Sequence, residues 1–185
     1  MKIQIIGGSG TGKSTLAQYM SKQENIKWID TDQYLWKDDT FTENNPIERR
    51  MEMYQEDMKR HDSYVVSGSV YSWYPEGFTE RDLLVFLSVD EELRMERLRK
   101  REFERSLSNK IWLDEQQMYT NDFLEWCKTY WTEDDACAAG TYAEQSYQMS
   151  ISESPVLRLD GSKSLNALHT EIISTYLFDS RNQFA

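Results

Sequence analysis

The sequence is poor in cysteine, histidine and positive charge, and each shortage removes a class of function. Its two cysteines, Cys127 and Cys137, stand ten residues apart, without the close pairs that tetrahedral zinc or a Cys-x-x-Cys redox centre requires. They read as ordinary buried or half-buried thiols. The two histidines, His61 and His169, fall on expected helices with no partner at ligand or triad spacing, and read as surface or half-buried residues without chemistry. Lys and Arg number 21 against 32 Asp and Glu, a net charge of -11, which opposes binding to a polyanionic backbone and speaks against long nucleic acid as a partner. No apolar run is long. The opening "MKIQIIGG" passes directly into glycines, too short for a secretory core or a bilayer span, so the expectation is a cytoplasmic protein with no membrane partner. Low-complexity tracts, repeats of 20 to 50 residues and Pro/Gly/Ser-rich linkers are also absent from the 185 residues, which leaves one compact domain, 1–185.

Glycine is scarce too, yet four of the eight fall in "GGSGTGKST", residues 7–15. The stretch follows "KIQII" at 2–6, a β-branched run typical of a buried strand, and precedes Leu16, Tyr19 and Met20 at helical spacing. Further strands are expected at 26–30, 64–68, 82–89 and 155–159, and helices after Pro46, from Asp90 to about Arg105, over 119–130 and from Leu165. Strands alternating with helices predict a doubly wound α/β fold, a five-stranded parallel sheet flanked by helices. The segments at about 31–62 and 100–150 read as helical insertions of that domain, one on the acceptor side and one as a lid.

Residues 7–14 satisfy G-x-x-x-x-G-K-S/T between a strand and a helix, the context this phosphate-binding pattern requires. Gly7, Gly8, Ser9, Gly10, Thr11 and Gly12 turn successive amides around phosphate oxygens, and the start of the following helix adds unpaired N–H groups. Lys13 is expected to bridge the β- and γ-phosphates and Ser14 to ligate Mg2+, while Thr15 is placed to reach the α-phosphate. A plain glycine turn with a surface lysine is the competing reading.

Phosphoryl transfer also needs carboxylates, an acceptor and further cations. Asp30 and Asp32 in "DTD" lie two apart at the end of the second strand, hence on one side of an extended chain at the carboxyl edge. Asp30 is assigned to magnesium through water and Asp32 to the acceptor hydroxyl; a turn-capping aspartate is the alternative for each. Arg97, Arg101 and Arg105 form a stripe at intervals of four, suited to closing over phosphates or to salt bridges on a solvated helix. The basic run extends from Arg94 to Lys110, before an acidic stretch at 114–135. Arg49 and Arg50 could hold an anionic acceptor, or serve a helix surface. Tyr34, Trp36, Tyr71, Trp73 and Tyr74 could stack a flat acceptor, or simply pack.

With the loop, "DTD", "SGS" and "ERLRKR" in that order, the chain resembles the small P-loop kinases of the adenylate kinase and shikimate kinase group, over nearly its whole length. It is most similar to the bacterial adenylate-kinase-like proteins called topology modulation proteins, through the Trp-containing "DTDQYLWK". The resemblance implies a P-loop NTPase fold, ATP and Mg2+ as cofactors, Arg97 stacked on the donor adenine, Arg101 reaching the phosphates, and Gly161 beside the base. It places Asp30 near the metal and Asp32 near the acceptor. One departure stands out: "YVVSGS" carries Ser67 where the group usually has an aspartate before Gly68. The expected function is ATP- and Mg-dependent transfer of a phosphoryl group to a small acceptor. The alternatives are a regulatory module that hydrolyses ATP slowly for a protein partner, and a kinase of polynucleotide ends.

Overall fold

Strands that are apolar at nearly every position need cover on both faces. The computed structural model describes residues 1–37, 43–78, 81–105 and 111–182. Its strands are β1 (Lys2–Ile6), β2 (Lys27–Asp30), β3 (Tyr64–Ser67), β4 (Leu83–Ser88), β5 (Trp112–Leu113), β6 (Tyr119–Thr120) and β7 (Val156–Asp160). The helices are α1 (Lys13–Glu24), α2 (Asp32–Leu35), α3 (Ile47–Arg60), α4 (Glu91–Arg105), α5 (Asp122–Lys128), α6 (Tyr142–Ser150) and α7 (Leu165–Asn182). Five strands form one parallel sheet in the order β2-β3-β1-β4-β7, and β5 and β6 form a separate antiparallel pair.

The two faces of the sheet follow the period of two in each strand. Ile3, Ile5, Val65, Leu83, Val85 and Leu87 pack under Leu16, Ala17 and Met20 of α1 and Leu168 and Ile172 of α7. Ile6, Val66, Leu84 and Phe86 point the other way, to Tyr34 of α2, Tyr54 of α3 and Met149 of α6. β1 sits between β3 and β4, so the chain leaves it toward β2 on one side and reaches β4 on the other. The carboxyl end of β1 is therefore the topological switch point, where sheets of this kind open a crevice for ligands. Residues 7–12 emerge there, and Asp30 stands beside Ser67 in register on the same edge.

Two expectations about the chain need correction. The single helix expected over 119–130 is divided: Tyr119 pairs with Leu113 in the β5–β6 hairpin, and Asn121 accepts the Leu124 amide at 2.8 Å as the cap of α5. A side-chain cap and a tight turn outweigh apolar spacing here. Helix α6 falls in the helical insertion expected at about 100–150, but the apolar spacing did not place it. Thr141 accepts the Glu144 amide at 3.2 Å, and Glu144 accepts the Gly140 amide at 2.6 Å, a capping-box pattern. The helix escapes an apolar-period reading because its buried face carries Glu144, Gln145 and Gln148 beside Met149.

Smaller differences follow. Cys127 is buried but Cys137 is exposed. His61 lies just past α3, and His169 of α7 meets Glu24 of α1 at 2.7 Å. Lys110, the last cation of the basic run, lies outside the described residues, as does the Arg105 side chain. Among the described residues no helix is long and apolar enough to cross a membrane.

The core assignment has a direct check. Ile172 is fully buried whereas Leu177, on the same helix, is 47% exposed. Ile172→Ala should lower unfolding free energy in urea by about 2–5 kcal/mol, and Leu177→Ala by no more than about 0.5 kcal/mol.

Candidate active site

At Gly7, Gly8 and Gly10 the glycine loop is held by contacts that leave no room for a side chain. Gly10 has φ of +87°, and a Cβ added there would stand 2.8 Å from Leu98 Cγ and 2.9 Å from the Arg94 carbonyl oxygen. At Gly8 the obstacle is the Tyr130 ring, 2.9 Å from an added Cβ. Thr11 Oγ1 donates to the Gly8 carbonyl at 2.9 Å, closing the turn. Helix α1 then starts at Lys13, and its cap residue, Gly12, has no side chain to satisfy the first amides. The loop and this helix end thus offer N–H groups to an anion.

Lys13 lies at the centre of the charge pattern. Its Nζ donates to the Gly8 carbonyl at 3.0 Å. Burial lowers its pKa to about 8; Asp32 and Asp30 pull upward, and Arg101 and Arg94 push further down. The Asp30 carboxyl is raised above its ordinary range, first by burial and then by the Asp32 charge, against the Asp32 amide, Lys13 and the Ser67 hydroxyl. Its Oδ1 accepts the Asp32 amide at 3.2 Å, so it caps the turn while facing the lysine. Asp32 is not on extended chain, as its spacing suggested, but is the first residue of α2; it nonetheless couples to the same lysine. Ser67 accepts the indole N–H of Trp28 at 3.0 Å.

Helix α4 supplies the cations. Arg97 donates to the Gly161 carbonyl from both amino groups at 3.3 Å and to the Thr11 carbonyl at 3.5 Å. It therefore ties the phosphate loop to the β7–α7 turn instead of pairing with a glutamate. Arg101 lies 3.6 Å from Glu102 and over the Phe123 ring at 5.4 Å, and its Nε is buried without a hydrogen bond among the described residues.

Sequence reasoning missed two residues. Arg94 entered only as one charge in a run, yet it is 1% exposed and donates to the Ser9 carbonyl at 3.0 Å. Its Cζ lies 4.8 Å from the Tyr130 ring centre. Tyr130, which covers Gly8, donates its hydroxyl to Gln145 of α6 at 2.6 Å. The one available signal was Glu91, three residues before Arg94 and so on the same helix face.

The acceptor-side residues are less concentrated. Tyr34, Tyr54, Trp73 and Tyr74 pack on one another, with Tyr54 5.8 Å from Tyr34 and 6.1 Å from both Trp73 and Tyr74. Tyr34 also donates to Asp57 at 2.6 Å. These rings form core, the packing alternative. Trp36 is half-buried, and its backbone bridges to Asn44. Arg49 is exposed and paired with Glu52 at 3.2 Å, whereas Arg50 donates to the Asn45 carbonyl at 2.8 Å.

The residues present fit a polyphosphate: a cradle closed to side chains at Gly7, Gly8 and Gly10, a lysine whose pKa burial lowers to about 8, and two further cations. Among the described residues no three His, Cys, Asp or Glu side chains gather into a metal cage. Mg2+ seldom needs one, because it keeps water and takes one or two protein oxygens beside phosphate. Ser14 on the first turn of α1 and Asp30 offer a hydroxyl and a carboxylate of that kind.

Residues 3–116 match the family described as AAA domain. The uncharacterized protein YqaC of Bacillus subtilis (strain 168) is 32% identical over 164 residues, 89% of this chain and 90% of that one. Among solved structures, shikimate kinase from Aquifex aeolicus vf5 superposes with a TM-score of 0.57 at 19% identity, covering 97% of this chain and 98% of that one. A gluconokinase from Sinorhizobium meliloti 1021 gives 0.57 at 15% identity, covering 99% and 95%. At these identities the two structures establish the shared P-loop fold.

The electrostatics are testable without any ligand. The Lys13 ammonium, followed by NMR at its ε position, should titrate near pH 8. Asp32→Asn removes an upward influence and should lower that midpoint; Arg101→Gln removes a downward one and should raise it.

Proposed function

The chain belongs to the AAA-domain family matched over residues 3–116, and on that premise we propose a magnesium- and ATP-dependent kinase. It transfers the terminal phosphoryl group to a hydroxyl of a small acceptor: a nucleoside, nucleotide or other hydroxylated metabolite. The observation that carries this reading is Lys13, turned back on the Gly8 carbonyl inside a glycine cradle and coupled to Asp32 and Asp30. A lysine disfavoured as a free cation is poised to gain from an arriving polyanion. Support also comes from the fold, shared with structures named as a shikimate kinase and a gluconokinase.

In this reading the triphosphate lies along Gly7, Gly8, Ser9, Gly10, Thr11 and Gly12, with Lys13 and Thr15 on its oxygens and Arg101 reaching over it. Ser14, and Asp30 through water, would hold Mg2+, which would offset charge on the outer phosphates. Asp32 accepts the acceptor's hydroxyl proton as that oxygen bonds to the terminal phosphorus; the bond to the leaving oxygen breaks, and ADP keeps the electron pair. Arg97, its amino edges fixed by two carbonyls, presents the face of its guanidinium to the adenine, next to Gly161. Trp36, Arg49 and Arg50 complete the acceptor side, on the insertion at 31–62, and the insertion at 100–150 acts as the lid. The likeness of residues 30–37 to topology modulation proteins belongs to this proposal, as does a cytoplasmic setting.

Ser67 favours one second reading, a regulatory module with slow ATP hydrolysis, because it stands where the resemblance leads one to expect a carboxylate. ADP production measured with and without a broad acceptor panel separates the two. For the kinase, some acceptor raises ADP output well above the basal rate; no rise with any acceptor overturns it. Lys13→Ala should cut turnover by about a hundredfold or more. Asp32→Asn should cut acceptor-dependent turnover by about 10²–10⁴ while leaving the affinity for a non-hydrolysable ATP analogue unchanged.

A further inference from the structure

We propose that Arg94 is a positioning residue that aims the Gly10 amide into the phosphate cradle; the inference rests on the polyphosphate reading of the loop. A buried guanidinium is costly unless its donors are met, and here they are directed. Nε donates to Glu91 Oε2 at 2.7 Å and Nη2 to Glu91 Oε1 at 2.8 Å, a bidentate pair. Nη2 also donates to the Cys127 carbonyl at 2.6 Å, and Nη1 to the Ser9 carbonyl at 3.0 Å. The last bond bears on function, because a trans peptide sends its C=O and N–H in opposite directions. With the Ser9 oxygen drawn toward α4, the Gly10 N–H of the same peptide points away from α4.

The peptide is held from a second side as well, since Gly10 packs directly on the Arg94 carbonyl and Leu98. Arg94 further joins this peptide to the end of α5 through Cys127 and to Tyr130 through its ring face. The seating of the 122–131 segment thus becomes part of the phosphate site.

The replacement Arg94→Lys keeps a charge but cannot fork to Glu91 and two carbonyls at once. The experiment follows the Gly10 amide by ¹H–¹⁵N NMR while Mg2+ and a non-hydrolysable ATP analogue, or inorganic tripolyphosphate, are added to the full chain. In the native chain the Gly10 resonance should move strongly on binding. In Arg94→Lys the affinity should fall roughly tenfold or more, the worth of a charge-assisted hydrogen bond, and the Gly10 response should be lost. A purely structural Arg94 would lower unfolding stability without altering that response. Should Arg94→Lys not fold, Glu91→Gln decides: freeing the guanidinium should weaken tripolyphosphate binding and shrink the Gly10 shift. Native-like affinity and shift in the variant that decides overturn this inference alone; no Gly10 response in the native chain overturns the polyphosphate reading with it.

Discussion

A positive charge half buried where the glycine loop enters α1 governs the arrangement of this protein. Taking the Lys13 ammonium out of water disfavours it, and the fold offsets this only in part, with Asp32 and Asp30 drawing the proton in while Arg101 and Arg94 repel it. Such a balance stabilises the folded chain little. Its natural complement is an anion with several oxygens, which would satisfy the lysine, Arg101 and the loop amides together. The parallel sheet makes this possible by ending β1, β2 and β3 on one edge, so that Lys13, Asp30 and Ser67 converge there although they lie far apart in sequence.

The serine at the end of β3 shows how a departure from a pattern is absorbed. Ser67 accepts from the Trp28 indole, and its hydroxyl favours the charged form of Asp30. An aspartate in its place would put a third carboxylate beside Asp30 and Asp32, raising the cost of keeping either ionised. The pair that remains faces one lysine, a smaller concentration of negative charge.

Helix α4 illustrates why charge runs are ambiguous. Its arginines are equivalent on paper, at spacings that suit either a solvated face or a clamp. In the structure they divide: Arg97 bridges Thr11 and Gly161, Arg101 lies over Phe123, and Arg94 is sealed beneath the phosphate loop. The aromatic residues were equally ambiguous. Tyr34, Trp73 and Tyr74 became core once Tyr54 of α3 packed among them.

The sequence by itself determined the features whose causes are local. Strands with apolar residues on both faces, the glycine turn between β1 and α1, and the Lys-Ser that opens the helix follow from dihedral preferences and burial within a few residues. Even its misses were local: the Asn121 cap and the Thr141–Glu144 box were legible, but the apolar period at 119–130 and the amides of α6 outweighed them. Only the tertiary structure decided which cation is buried, which rings pack and which carbonyl each guanidinium holds. Arg94 and Ser9 are separated by 85 positions, and burial is set by whatever the fold brings alongside, a property no window of sequence contains.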